Sequence, residues 1–363
     1  MRLADGYEGV AEAFRETLVD SKGGSAFAAY VDRELVVDLW GGSADGGTPW
    51  REDTLQLVFS GTKGLVATCL LILLERGELA LDEPVRSYWP EFGNEEVLVR
   101  HVVSHTAGLP GLRQWFELDD LLDGARMAQR VAAEPPLWPP GSRLAYHALT
   151  FGWLCGELVL RVDGRSVGTF LAEEVAAPLG LELWIGLPPQ LEPRVACLHR
   201  ADDYEVTFLG DEPEPLMQAV YGPLVRGEVD AWNEPAFHRA EIPAANAIGT
   251  ARAIAHLYGC LACGGEPLLS EETVRTGRAE LSRGTCAVTR RPYAFGVGFE
   301  LQTELEALGP PEDAFGHTGS GGSSHGAWPS KRVGFSYAMT ELRSERSDDR
   351  ARRVLAALHE AVT

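Results

Sequence analysis

Positive charge is scarce in this chain. Its 363 residues carry 32 Lys plus Arg against 53 Asp plus Glu, a formal net charge of −21. Such a balance argues against nucleic acid or an anionic membrane as a partner. Long apolar runs are missing too, and none could span a bilayer. The stretch from Met1 to Asp20 has no apolar core of signal-peptide type. Tyr7, Val10, Phe14 and Leu18 instead recur there at helical spacing among acids, which predicts an amphipathic helix of the mature protein. The six cysteines are scattered, and only Cys260 and Cys263 lie close together, with no second pair to complete a zinc site. Buried reduced thiols and a cytoplasmic location are the expectation. His101 and His105 are four apart, but the Glu of His-Glu-x-x-His and a third ligand are both missing. Helix-terminal and packing roles are expected for them, and no metal or cofactor. Internal repeats and low-complexity segments are lacking as well.

What the chain does have is Phe59-Ser60-Gly61-Thr62-Lys63-Gly64, followed by an almost unbroken apolar run from Leu65 to Leu74. A run of that length, apolar on nearly every side, predicts a buried helix inside a domain. Gly77 is placed to end it, with Arg76 favouring the negative terminus. Ser60 then falls at or just before the first turn, and Lys63, three residues on, shares its face. Ser and Lys three apart occur by chance in most long chains, as an N-cap and a solvated amine. Here Lys63 opens an all-apolar helix, where a merely structural lysine is costly. A hydroxyl, an amine base and the free N–H groups of a helix start would meet there.

Along the rest of the chain, 26–31 and 34–40 are β-rich runs about Asp32-Arg33 and predict a hairpin closed by Gly41-Gly42. Residues 100–110 predict a short helix ending in a turn, and 112–133 a helical pattern. Pro135, Pro136, Pro139, Pro140 and Gly141 force a stiff loop. Helices are expected over 149–162, over 167–179 up to Gly180, and from a Thr250 cap to about Cys263. The acidic, proline- and aromatic-rich stretch 188–243 reads as the wall of a pocket, with Tyr221, Trp232 and Phe237 needing burial. Strands are expected at 293–301, 323–328 and 333–341, then a closing helix over 348–362 capped by Ser347. The economical fold is α/β (α+β), with one antiparallel sheet built from both chain ends and flanked by helices. Residues 1–83 and 284–363 would form that domain, and 84–283 an inserted, mostly helical one.

Several motifs then fall in a recognisable order. They are Val36-Val37-Asp38-Leu39-Trp40-Gly41-Gly42, Ser60-Gly61-Thr62-Lys63 and Ser104-His105-Thr106-Ala107-Gly108-Leu109-Pro110. Pro140-Gly141 leading to Tyr146-His147-Ala148 follows, then Ile242-Pro243-Ala244-Ala245-Asn246 and Gly316-His317-Thr318-Gly319-Ser320-Gly321-Gly322-Ser323. The chain resembles the serine β-lactamase superfamily of class C type, and most closely its family VIII carboxylesterases. The resemblance implies the β-lactamase/transpeptidase-like fold. It implies Ser60 as an acylated nucleophile, Lys63 as its companion amine and Tyr146 as the general base working with Lys63. His317-Thr318-Gly319 stands where the family has Lys-Thr-Gly on a strand beside the nucleophile. By the same analogy the N–H groups of Ser60 and Ser320 would form the oxyanion hole.

Two positions depart from the family pattern. The Asn of Tyr-x-Asn is Ala148, so an amide that would hold a β-lactam side chain is absent. The Lys of Lys-Thr-Gly is His317, which removes a fixed charge that would greet a carboxylate. Both argue against penicillin hydrolysis and for a neutral ester or amide, and a small or medium ester hydrolysed through an acyl-Ser60 intermediate is the expectation. Acyl transfer and amide, D-peptide or β-lactam hydrolysis on the same fold are the alternatives, with a non-catalytic sensing domain behind them. No role is assigned to Asn246. The expected partner is a small molecule, and oligomeric state is left open.

Overall fold

The computed structural model describes residues 1–19, 21–114, 116–202, 204, 229–344 and 347–363. Its centre is a ten-stranded sheet. Across the sheet run Arg2–Leu3, Glu34–Asp45, Gly24–Val31, Val333–Met339, Ser323–Trp328, Phe315–Gly319, Glu300–Leu301, Pro292–Phe295 and Ser282–Thr285. Thr48–Pro49 adds a short tenth strand beside Glu34–Asp45. All these pairings are antiparallel. Early and late segments thus meet at Gly24–Val31 and Val333–Met339.

The hairpin forms at the predicted place. Asp32 and Arg33 turn it with φ of 49° and 68°, the left-handed pair that matches strand twist. The terminal helix Glu8–Thr17 buries Val10 and Phe14, while the closing helix Arg350–Ala361 buries Val354, Leu355 and Leu358. The helix Ala251–Ala262, capped by the Thr250 hydroxyl on Ala253 N–H, lies so close to the sheet that Gly259 and Gly334 leave no room for a Cβ.

The apolar run forms the helix Thr62–Glu75, in which every residue from Thr62 to Leu73 is buried. Each fully buried leucine there contributes about 1.5–3 kcal/mol, and Gly77 leaves the helix at φ 70°.

Three local expectations are corrected. The 112–133 pattern is not one helix: a short 3₁₀ turn, Leu118–Leu122, precedes the helix Gly124–Ala133. Asp123 separates them, because its carboxylate accepts the Arg126 N–H and so starts a new helix. The strand expected over 293–301 is two strands, since Gly298 turns the chain at φ 73° and brings Phe295 opposite Glu300. The closing helix is not capped by Ser347, whose hydroxyl donates to the Ser344 carbonyl. Asp349 takes the N-cap position without a capping bond, its carboxylate accepting from Arg353 Nε instead. Among the described residues no helix is long and apolar enough to cross a membrane.

Candidate active site

Ser60 lies in a single 3₁₀ turn, Phe59–Gly61, joined directly to the buried helix. The residue before it, Phe59, has φ 45°. A bulky side chain in the left-handed region is strained, and such strain persists only where the surroundings over-determine it. Phe59 is buried and packs edge-on against Trp232, ring centroids 5.6 Å apart.

Lys63 follows one turn later, wholly buried, with its Nζ 3.1 Å from Ser60 Oγ. Two backbone carbonyls complete its surroundings, Ala148 O at 2.8 Å and Ala244 O at 2.9 Å. Burial pushes the amine down to about 7, against weaker upward pulls from Cys155 and Glu300. A neutral amine then spends its two N–H bonds on the two carbonyls and turns its lone pair to Ser60. That is the geometry of a base acting on a hydroxyl.

The second wall is Tyr146, buried, with Lys63 Nζ 5.0 Å from its ring centroid. Its ring stacks on Tyr293 at 5.4 Å and Phe295 at 6.1 Å. His147 donates from Nδ1 to Ala145 O at 2.6 Å and accepts the Leu109 N–H on Nε2 at 3.2 Å, so one tautomer is fixed. Burial lowers it to about 4 and keeps it neutral.

The third wall is the strand Phe315–Gly319. Its last residue lies so close to the turn before Ser60 that a Cβ on Gly319 would sit 2.4 Å from Val58 O. Glu300 holds this strand, accepting the Thr318 N–H at 3.0 Å and the Thr318 hydroxyl at 2.9 Å. His317 is buried beside Tyr146, ring centroids 6.0 Å apart. Burial first, then Lys63, lowers its imidazole to about 3, so it is neutral where the family motif has a lysine. The Ser320 hydroxyl lies 3.3 Å from that of Tyr204. A cavity of about 410 Å³ adjoins the strand, lined by Thr318, Gly319, Ser323, Leu305, Arg291 and Arg352 among others.

Ser60, Lys63, Tyr146, His317 and Gly319 therefore converge, with Ser320 one residue past Gly319. The backbone carbonyls of Ala148 and Ala244 escape a sequence reading, because a carbonyl carries no residue signature. Ala148 illustrates this: its side chain marks a lost amide, while its carbonyl holds the lysine. Asn246 is accounted for differently. Its amide donates to Phe237 O and Ala240 O and accepts the Ile242 N–H, which shapes the loop that presents Ala244. Trp232 and Phe237 are buried as expected, whereas Tyr221 lies outside the described residues, with the rest of 205–228 and residue 203 of the expected pocket wall. Among the described residues, which include all six cysteines, there is no disulfide.

Comparison with known proteins gives the family. The Beta-lactamase family model matches residues 10–360. Esterase/beta-lactamase LipL of Mycobacterium tuberculosis is 37% identical over 344 residues, covering 88% of this chain and 77% of that protein. A crystal structure of a family VIII carboxylesterase superposes with a TM-score of 0.92 at 33% identity, covering 99% of both chains. A penicillin-binding protein homolog from Caulobacter crescentus gives 0.90 at 35% identity, again over 99% of both. The chain belongs to the β-lactamase family of serine hydrolases.

Proposed function

We propose that this enzyme hydrolyses small to medium neutral carboxylic esters through an acyl-Ser60 intermediate, with Lys63 and Tyr146 as a coupled base. The observation that carries the proposal is the trio of contacts on Lys63. Two carbonyls take its N–H bonds, its third direction meets Ser60 Oγ, and among the described residues no carboxylate pairs with it. In the neutral state Lys63 accepts the Ser60 proton as Oγ attacks the ester carbonyl. The N–H groups of Ser60 and Ser320 receive the negative charge that develops on the carbonyl oxygen. The proton passes by way of Tyr146 to the leaving alcohol as the C–O bond breaks. Water then repeats the attack on the acyl group, releasing the acid and restoring the Ser60 hydroxyl. Lys63 and Tyr146 titrate as a pair, so a single pH–rate limb belongs to both.

Neutral esters are favoured over β-lactams for a physical reason. A β-lactam presents a carboxylate, and the buried, uncharged His317 offers it no fixed charge. The family VIII carboxylesterase is named for ester hydrolysis, while LipL is named both esterase and beta-lactamase, so the names support an ester substrate and the preference over β-lactams rests on His317. A fluorophosphonate probe tests the nucleophile, and mass is expected on the Ser60 peptide. Labelling elsewhere, with Ser60 unmodified in active protein, would sink the proposal. Turnover of a butyryl ester with water as acceptor, exceeding transfer to millimolar alcohol, tests the hydrolase assignment.

A further inference from the structure

The segment that carries Tyr146 is neither helix nor strand, yet three consecutive N–H groups in it are bound. Ala145 N–H donates to His105 O at 3.0 Å. Tyr146 N–H donates to Cys286 Sγ at 3.2 Å. His147 N–H donates to His105 Nδ1 at 3.0 Å. One residue, His105, therefore holds the peptides on both sides of Tyr146, the first by its carbonyl and the third by its ring. The backbone allows this only because His105 has φ +60°. That conformation is strained for a non-glycine residue and survives where the fold over-determines it. The His105 ring also backs the phenol, with its centroid 5.0 Å from that of Tyr146 and 4.2 Å from that of Phe295.

The tautomer follows from the bonding. Nδ1 accepts, so the proton resides on Nε2, and the ring must stay neutral to keep its acceptor. Burial, then His147, Lys63 and His317, hold His105 well below the ordinary imidazole range. Among the described residues Tyr146 and His147 are the titratable rings in contact with it, at 5.0 and 5.5 Å between centroids.

We propose that His105 is a positioning residue for Tyr146, bracketing it through one backbone and one ring acceptor so that the phenol stays in register with Lys63 and Ser60. The proposal rests on the reading of Tyr146 as half of the base. His105 does not touch the reacting atoms. Its contribution is the placement of a group that does, and an error of about 1 Å in such placement costs roughly a hundredfold in rate.

Four variants separate this role from packing. His105→Asn puts an oxygen acceptor where Nδ1 stands and tolerates a left-handed backbone. His105→Gly accepts the backbone but deletes acceptor and ring. His105→Gln fills space but carries its acceptor one bond too far. Tyr146→Phe reports on the base itself. Turnover of a butyryl ester is measured against pH and expressed per fluorophosphonate-titrated serine, so misfolded protein drops out. His105→Gly and His105→Gln are expected to lose about a hundredfold in kcat with little change in KM, and their pH limbs should move. His105→Asn is expected to recover most of that rate and the wild-type limb. If Gly does not fold, Gln against Asn still decides. Wild-type kcat and pH profile in Gln or Gly, with Tyr146→Phe inactive, would reduce His105 to packing and overturn the proposal. Asn as slow as Gln would overturn the acceptor role. Full turnover in Tyr146→Phe would remove the base pair first and the proposal with it.

Discussion

Among the described residues two cations are buried, and their surroundings differ in one respect. Arg350 is 2% exposed and Lys63 0%. Both donate to two backbone carbonyls, Gly321 and Glu341 for Arg350, Ala148 and Ala244 for Lys63. Arg350 adds a two-point contact with the Asp348 carboxylate, at 2.8 and 2.7 Å. Burial alone would lower its affinity for a proton, but Asp348, with Tyr337 and Glu341, raises it above the ordinary arginine value. Lys63 meets a neutral hydroxyl at its third position, and burial wins, to about 7. The lesson is that carbonyls alone hold a buried amine in place without holding its proton. A carboxylate makes the cation permanent and structural. Its absence leaves a lysine that can act as a base near neutrality.

The comparison can be broken most severely at Lys63. Lys63→Arg keeps a cation there but one that does not deprotonate, and turnover should fall by about four orders of magnitude, the upper end for a general base. Ester assays with active-site titration check this, and residual activity within tenfold of wild type would show that the lysine proton is not involved. Tyr146→Phe should keep the fold and lose roughly two to four orders of magnitude. A loss below tenfold would show Lys63 working without it.

Breaking the other cation should cost stability before chemistry. Asp348→Asn leaves Arg350 buried with a weaker partner, and removing one member of such a pair costs about 3–5 kcal/mol. Urea unfolding measures it. Because Arg350 also holds the Gly321 carbonyl, next to Ser320, kcat should fall modestly in the folded fraction. An unchanged unfolding midpoint would mean that the pair is not holding the closing helix to the sheet.

Two pH effects sharpen the contrast. Activity should rise through a limb near pH 7, because the lowered amine is neutral above about 7 and protonated below it. Cys155→Asp would place a carboxylate near Lys63 and move that limb upward; an unmoved limb would separate Lys63 from the titration. The smallest effect concerns stability in acid. His147, at about 4, and His317 and His325, each at about 3, lie below the ordinary imidazole value because burial disfavours their charged forms. The unfolded chain therefore binds protons that the folded one does not. Their stability contribution is complete above about pH 6.5 and is lost as pH falls toward those values. His325→Gln should flatten the acid limb of urea stability by about one proton, and an unaltered slope would contradict it.

Much of this was legible in the residues. An apolar run behind Ser-x-x-Lys allows only a buried helix, since period and composition are local properties, and the hairpin at Asp32-Arg33 is equally local. The ordered motifs then carried the family. Errors fell where local signals compete: Asp123 restarts a helix that periodicity would run through, and Gly298 folds one apparent strand into two. Ser347 looked like a cap because it precedes a helical run, but it donates backward to Ser344 instead. The chemistry of the site was legible as residue types and not as an environment. The chain by itself determined that a serine and a lysine share one helical face, because three residues make nearly a turn. Only the tertiary structure decided that this lysine meets the carbonyls of Ala148 and Ala244, residues 85 and 181 positions away. Any residue has a carbonyl, so no side chain announces one. Its proton affinity depends on burial and on the absence of a carboxylate, and both are properties of the packed molecule.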